Sequence, residues 1–272
     1  GYEQAAFEVV RDDFAAFASM LDVRDVTFIP LSALNGDNVV QPSETMPWYA
    51  GKSLLQHLEE VEIAEDENLE DGRFPVQYVI RPMREEYHDY RGYAGTVAGG
   101  VFRPGDAVAV LPGGQRTTIE AIDTFDGPVD AAAAPMSVTI RLADDIDVSR
   151  GNLIVSADRL PVTAQHLEGW VCWMTDRNRL MPGTRLAIKH TTHSTRAIVT
   201  GVLSRLEINT LAEDIDVDGL SLNEIGRVTF RTTEPLFIDP YQVNRRMGSF
   251  ILVDEATNHT VGAGMILGAI GE

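Results

Sequence analysis

Near residue 73 the hydrophobic pattern of this chain changes from a helical period to an alternating one. That switch limits its architecture more than any other feature. Beyond it, short apolar runs stand at 75–82, 93–98, 107–111, 117–125, 136–142 and 152–156. Further runs follow at 169–174, 184–189, 196–203, 225–230, 249–254 and 260–266. Turn formers separate them: Arg103-Pro104-Gly105-Asp106, Pro112-Gly113-Gly114, Asp126-Gly127-Pro128, Ser149-Arg150-Gly151-Asn152 and Met181-Pro182-Gly183. Many short apolar runs punctuated by Gly and Pro predict an all-β barrel or sandwich. Gly92 and Gly95 fall within or beside one run, where glycine marks a bulge or a close backbone approach. Residues 204–224 are more polar and are expected to form a long excursion. Two consecutive β-barrels are therefore expected, at 74–160 and 162–272, each of ordinary domain size.

Before the switch the chain reads as α/β. Phe7, Val10, Phe14, Phe17 and Leu21 recur at helical spacing and predict an amphipathic helix over residues 4–21. Val26-Thr27-Phe28-Ile29 suits a buried strand. A loop rich in turn formers follows, Pro30 to Asn38, and then a second helix is predicted at 48–60 with Leu54, Leu55 and Leu58 on one face. Helix, strand, loop, helix is the closing unit of a parallel α/β domain rather than a whole one. Residues 1–61 are thus expected to be a C-terminal remnant whose other strands lie upstream of Gly1. A chain that begins with Gly1 is expected to be an excised piece.

Charge divides the chain at the same place. Residues 1–72 hold 16 acids and 3 bases, and residues 73–272 hold 25 acids and 19 bases. The steepest stretch, Glu59 to Asp71, has eight acids and no base. It predicts a self-repelling, solvated connector at 62–73. The formal net charge of −19 opposes phosphate backbones, so a nucleic-acid partner is not expected. No apolar run approaches the roughly 20 residues of a membrane span, and no membrane partner is expected. The single cysteine, Cys172, cannot close an internal disulfide, which fits a reducing cytoplasm.

Several residue groups invite chemistry. Gly51-Lys52-Ser53 looks like the end of a P-loop, but that motif needs Gly at position 46, which is Met46. Lys52 is expected in the first turn of a helix instead. His190 and His193 would point to opposite faces of a regular strand, so only a turn between them would let them chelate together. Trp170 to Met174 reads as a core strand with Cys172 as a buried small residue. Asp144, Asp145 and Asp147 lack the later Gly and Glu of a calcium loop and read as a solvated turn. No metal site and no catalytic residue are expected in this chain.

One loop carries more information. Phe28-Ile29-Pro30-Leu31-Ser32-Ala33-Leu34 sets Ser-Ala-Leu after a predicted strand and before a helix. This resembles the guanine-contacting loop of GTP-binding domains, whose backbone N–H groups bond the base. Two barrels after such a unit resemble the layout of elongation-factor-Tu-like translational GTPases. Within that superfamily, further segments resemble the large, GTPase subunit of bacterial sulfate adenylyltransferases, over about residues 25–266. They are Arg73-Phe74-Pro75-Val76-Gln77-Tyr78-Val79, Asp89-Tyr90-Arg91-Gly92-Tyr93-Ala94-Gly95-Thr96 and Thr124-Phe125-Asp126-Gly127. With them go Asp145-Ile146-Asp147-Val148-Ser149-Arg150-Gly151, Glu207-Ile208-Asn209-Thr210-Leu211 and Thr260-Val261-Gly262-Ala263-Gly264-Met265-Ile266.

The resemblance implies a mainly β fold: two elongation-factor-like barrels preceded by an α/β remnant of a P-loop GTPase domain. It implies a place in sulfate assimilation and cysteine biosynthesis, where GTP hydrolysis drives adenosine 5′-phosphosulfate formation from ATP and sulfate. The implied partners are a small catalytic adenylyltransferase subunit, the missing N-terminal GTPase domain and, in some members, an adenylylsulfate kinase domain. GTP and Mg²⁺ belong to the intact subunit. The phosphate, Mg²⁺ and Asn-Lys-x-Asp motifs do not occur in this sequence, so this chain alone is expected to be inactive. Only Ser32, Ala33 and Leu34 carry over as nucleotide-contacting positions. A translation-factor fragment and a protein-interaction barrel module are the alternative readings.

Overall fold

The computed structural model describes residues 1–21, 23, 26–61, 67–82 and 90–271. It divides into two compact units, Gly1–Glu65 and Asp66–Glu272. The first part of the acidic connector, 62–66, and Asp89 of the Asp-Tyr-Arg-Gly-Tyr segment lie outside the described residues. No described helix is long and apolar enough to cross a membrane.

In the first unit, α1 spans Gln4–Ala18 and α2 spans Leu54–Glu60. α1 lacks a side-chain N-cap and buries only Ala18, while Val9 and Val10 stay exposed. Its aromatic stripe does find partners: Phe7 packs 5.5 Å from Trp48, and Phe14 meets Phe28 edge-on at 5.8 Å. α2 starts six residues later than the apolar pattern suggests, because Ser53 caps it by accepting the Gln56 N–H. Lys52 therefore precedes the helix rather than opening it, and its Nζ lies 2.6 Å from the Glu60 carboxylate. The expected strand at 26–29 is not one. Its backbone carries no ladder pairing among the described residues, and a strand exists only where a neighbour pairs with it.

The second unit is built almost wholly of strands. The first group comprises β1 (Arg73–Ile80), β2 (Gly92–Thr96), β3 (Val101–Phe102), β4 (Ala107–Leu111) and β5 (Gln115–Thr124). It continues with β6 (Gly127–Pro128), β7 (Ala132–Ala133), β8 (Ser137–Leu142) and β9 (Leu153–Ser156). The order β4-β9-β1-β2-β8-β5 closes on itself through a β4–β5 pairing, with β6 appended. Closure removes the exposed edges that an open sheet would carry. Alternate residues face inward: β8 reads exposed, buried, half-buried, buried, half-buried, buried. The interior packs Phe74, Val76, Tyr93, Phe102, Ile119, Ile122 and Ile140. Gly95 shows why the barrel needs glycine there. A Cβ on it would lie 2.5 Å from the Pro75 carbonyl oxygen, beside a register shift between Val76 and Tyr78.

The second group comprises β10 (Val162–Trp173), β11 (Arg185–His190), β12 (His193–Leu206) and β13 (Glu213–Asp214). It ends with β14 (Ile225–Ile238), β15 (Ser249–Val253) and β16 (Thr260–Ala269). The order β11-β15-β16-β10-β14-β12 closes through a β11–β12 pairing. Its core holds Leu167, Trp173, Leu180, Ile188, Phe230 and Leu252. Cys172 alternates with the buried Val171 and Trp173 and is only half-buried, so it is not the core residue expected. The excursion after β12 holds only the two-residue β13.

A buried seam joins the two closed sheets. Ala98, Ala109, Leu111, Leu153 and Val155 of the first pack with Met247 and Phe237 of the second. Arg73 donates to both carboxylate oxygens of Asp239, at 2.9 and 3.2 Å, and to the Arg159 carbonyl at 2.7 Å. The Asn244 amide donates to the Ala98 carbonyl at 3.0 Å. The described end of the acidic connector is not a free tether. Asn68 donates to the Val243 carbonyl at 3.4 Å, its own carbonyl accepts the Gly100 N–H at 2.6 Å, and Glu67 pairs with Arg246 at 3.1 Å.

Candidate nucleotide-contacting loop

Ser32, Ala33 and Leu34 lie in a compact loop that begins after Pro30. The Ser32 N–H donates to the Asp37 carbonyl at 3.1 Å, and the Ser32 carbonyl accepts the Gly36 N–H at 2.8 Å. The Ser32 Oγ accepts the Asn35 N–H at 3.3 Å. Gly36 sits at φ +82°, a conformation that glycine takes without a Cβ penalty. Asn38, at φ +53°, is buried and fastens the loop from below. Its amide donates to the Pro30 carbonyl at 2.8 Å and accepts the Ser43 N–H at 2.7 Å. The Asn38 and Val39 carbonyls accept the first N–H groups of α2, from Leu54 and Leu55.

Asp37 braces the loop's far side. It accepts hydroxyl hydrogen bonds from Ser43 at 2.6 Å, Tyr2 at 2.9 Å and Thr45 at 3.0 Å. The hydroxyls of Ser43 and Tyr2 hold its carboxyl below the usual aspartate value, since they stabilise the charged form. Asn35 donates to the Tyr2 hydroxyl at 2.6 Å, and Trp48 donates to the Tyr2 carbonyl at 2.9 Å. The result is a fixed loop with an open tip. Ala33 and Leu34 are exposed, and among the described residues their N–H groups have no acceptor. Two free donors on a rigid turn suit a carbonyl or similar acceptor of a ligand. Ser32, by contrast, uses its N–H and Oγ within the loop. The bracing roles of Tyr2, Asp37 and Asn38 depend on contacts that the sequence pattern does not record. Asn35-Gly36-Asp37-Asn38 carries a turn signal, but nothing local marks Tyr2.

The other candidate groups resolve into structural roles. His190 and His193 face each other across the end of the β11–β12 hairpin, and Thr191 between them takes φ +51°. The turn needed for joint chelation is present, yet the imidazoles take separate partners. The His190 Nε2–H donates to the Met247 carbonyl at 2.6 Å, and burial pushes its pKa below the ordinary histidine value. His193 Nε2 lies 3.2 Å from the Glu234 carboxylate. Asp145 and Asp147 pair with Arg91, and Asp144 accepts the Thr117 hydroxyl at 2.8 Å. Among the described residues no group of three or more His, Cys, Asp or Glu could hold a metal ion. A cleft of about 480 Å³ on the first barrel is lined by Arg81, Arg91 and Arg141 with Tyr90 and Tyr93. Arg91 and Arg141 are matched there by Asp145 and Glu120.

Comparison with known proteins places these features in context. Residues 166–267 match the family described as GTP-eEF1A C-terminal domain-like. The chain is 54% identical over 267 residues to the bifunctional enzyme CysN/CysC of Mycobacterium tuberculosis, covering 98% of this chain and 44% of that protein. It is 45% identical over 269 residues to sulfate adenylyltransferase subunit 1 of Alteromonas mediterranea, covering 99% of this chain and 56% of that protein. Crystal structures of sup35 complexed with GDP and with GMPPNP superpose with TM-scores of 0.68 and 0.69 at 19% identity. Each covers 99% of this chain and 66% of the solved chain, and at that identity they support the elongation-factor-like fold alone. The chain spans about half the length of the curated relatives it matches. With this identity across nearly all of its residues, the chain is homologous to the corresponding stretch of sulfate adenylyltransferase subunit 1.

Proposed function

We propose that this chain serves in the GTPase subunit of a cytoplasmic sulfate adenylyltransferase. In this reading GTP hydrolysis by the whole subunit drives formation of adenosine 5′-phosphosulfate from ATP and sulfate, and a small partner subunit performs the adenylyl transfer. The observation that carries the reading is the 45% identity, over 99% of the chain, to a protein named sulfate adenylyltransferase subunit 1. Residues 1–61 would be the closing part of the GTPase domain, 62–73 its connector, and 74–160 and 162–272 the two barrel domains. The unpaired segment at 26–29 and the exposed Val9 and Val10 of α1 support the first assignment. They are what a parallel sheet's last strand and covering helix show without their neighbours.

Ser32, Ala33 and Leu34 would contact the guanine base, with the free N–H groups of Ala33 and Leu34 as donors. No residue of this chain fits the phosphates or Mg²⁺, because it has no Gly-rich cradle and no P-loop lysine. No step of GTP hydrolysis is therefore assigned to these side chains. The barrels' task would be to hold the catalytic partner. The test is biolayer interferometry between this chain and the purified cognate adenylyltransferase subunit at low and high salt. Saturable binding that weakens as salt rises is expected, because exposed charges are screened over about 8 Å at physiological ionic strength. Absence of binding at low salt would reject the barrels as the holding element.

A further inference from the structure

We infer that the tip of the β5–β6 hairpin is an anchor for the partner: Phe125 seats in an apolar socket with a basic rim on the adenylyltransferase subunit. This rests on the function proposed above and adds the surface. β5 and β6 pair through Asp123 with Pro128 and Thr124 with Gly127, so Phe125 and Asp126 are the two residues of a tight loop. The Thr124 hydroxyl donates to the Gly127 carbonyl at 2.9 Å, and the Val129 N–H donates to the Ile122 carbonyl at 2.9 Å. Lower down, Asp123 is held by Arg141 at 3.1 Å and by the Tyr90 hydroxyl at 3.3 Å. The stem is thus fastened to the barrel wall while its tip projects.

On that fixed tip Phe125 is fully exposed, more so than any other large apolar side chain among the described residues. A phenyl ring left wholly in water contributes nothing to its own fold. It keeps all of its roughly 150–250 Å² of apolar surface for burial elsewhere. Rigid aromatic anchors of this kind dominate the energetics of protein interfaces. The surrounding charge selects the occupant. Of the acids within residues 120–130, Glu120 and Asp123 pair with Arg141, while Asp126 and Asp130 follow the exposed ring in the chain. The Asp126 and Asp130 carboxylates have no partner among the described residues. Such a rim repels a second copy of this chain, with its net charge of −19, and repels anionic lipid. It attracts a protein pocket edged by lysine or arginine.

The test measures interferometric affinity of the chain and its variants for the purified cognate adenylyltransferase subunit. Phe125→Ala is expected to weaken binding by at least about tenfold, as truncation of an interface anchor does. It should leave the melting temperature unchanged, since the ring packs on nothing. Asp126→Lys is expected to weaken binding and flatten its salt dependence. Ile215→Ala, which truncates an exposed side chain on the second barrel, should bind as wild type does. Equal affinity of wild type and Phe125→Ala would overturn the anchor and leave the proposed function standing. No binding by wild type at low salt would overturn the anchor together with the barrels' role as the holding element.

Discussion

His190 shows how one side chain links the interior of the second barrel to the seam between the barrels. It ends β11, is buried, and donates to the carbonyl of Met247, which itself packs in the seam. Burial disfavours the imidazolium, so the folded-state pKa lies below the ordinary value of about 6.5. The unfolded chain then takes up a proton before the folded one does. Stability from this group is complete above about pH 6.5 and falls as the pH drops from there toward the folded-state value. His190→Gln keeps an N–H donor for Met247 but cannot titrate. Its loss of melting temperature between pH 7.5 and pH 5.5 is expected to be smaller than that of wild type. An equal loss in both proteins would remove His190 from the account.

Among elements, β1 carries the most consequential tie. Its first residue, Arg73, reaches Asp239 just past the end of β14, and both side chains are almost fully buried. A buried pair loses its hydration, so its gross attraction is partly offset by desolvation. Removing one partner alone strands the other charge. Arg73→Ala is therefore expected to destabilise the chain by about 3–5 kcal/mol in urea titrations. The double variant Arg73→Met, Asp239→Leu should lose markedly less, because no charge is left unpaired. A double variant as unstable as the single one would show that hydrogen bonds from Arg73 to the Gly72 and Arg159 carbonyls matter more. In the first unit, α1 offers the contrasting case. Its apolar spacing is helical and it forms a helix, but Val9 and Val10 face water. Periodicity announced the element; what it packs against was outside the pattern's reach.

Across the whole molecule, arginine is distributed with a purpose that the sequence left open. Eighteen of the twenty arginines lie at or beyond Arg73. Many pair with the unit's own acids: Arg141 with Glu120 and Asp123, Arg179 with Asp218, Arg205 with Asp214 and Glu224, and Arg227 with Glu168. The barrels thus balance much of their charge internally, so an interface built on arginine alone is a poor fit, whereas the unmatched acids around Phe125 remain available. At this scale the absent phosphate cradle also has a consequence. Most nucleotide affinity in P-loop proteins comes from phosphate and Mg²⁺ contacts. Isothermal titration of the chain with GTP and Mg²⁺ is expected to show no micromolar binding. A micromolar dissociation constant would mean that the loop around Ser32 does far more than contact a base.

By itself, the sequence determined the mainly β character, the place where helix gives way to strand, and each strand after it that is longer than two residues. Alternation and turn residues are local, and β4 at 107–111 falls on its apolar run residue for residue. It also marked Gly95 as a point of close approach. Only the tertiary structure decided which strands meet to close each barrel, and that residues 26–29 lack a pairing neighbour. It alone decided that Arg73 finds Asp239 across 166 positions, that Tyr2 braces Asp37, and that Phe125 stands free while Phe74 is sealed. The physical reason is range. A residue's neighbours in sequence fix the period of its side chains, but burial and charge pairing depend on register between segments far apart in the chain, which no local pattern records.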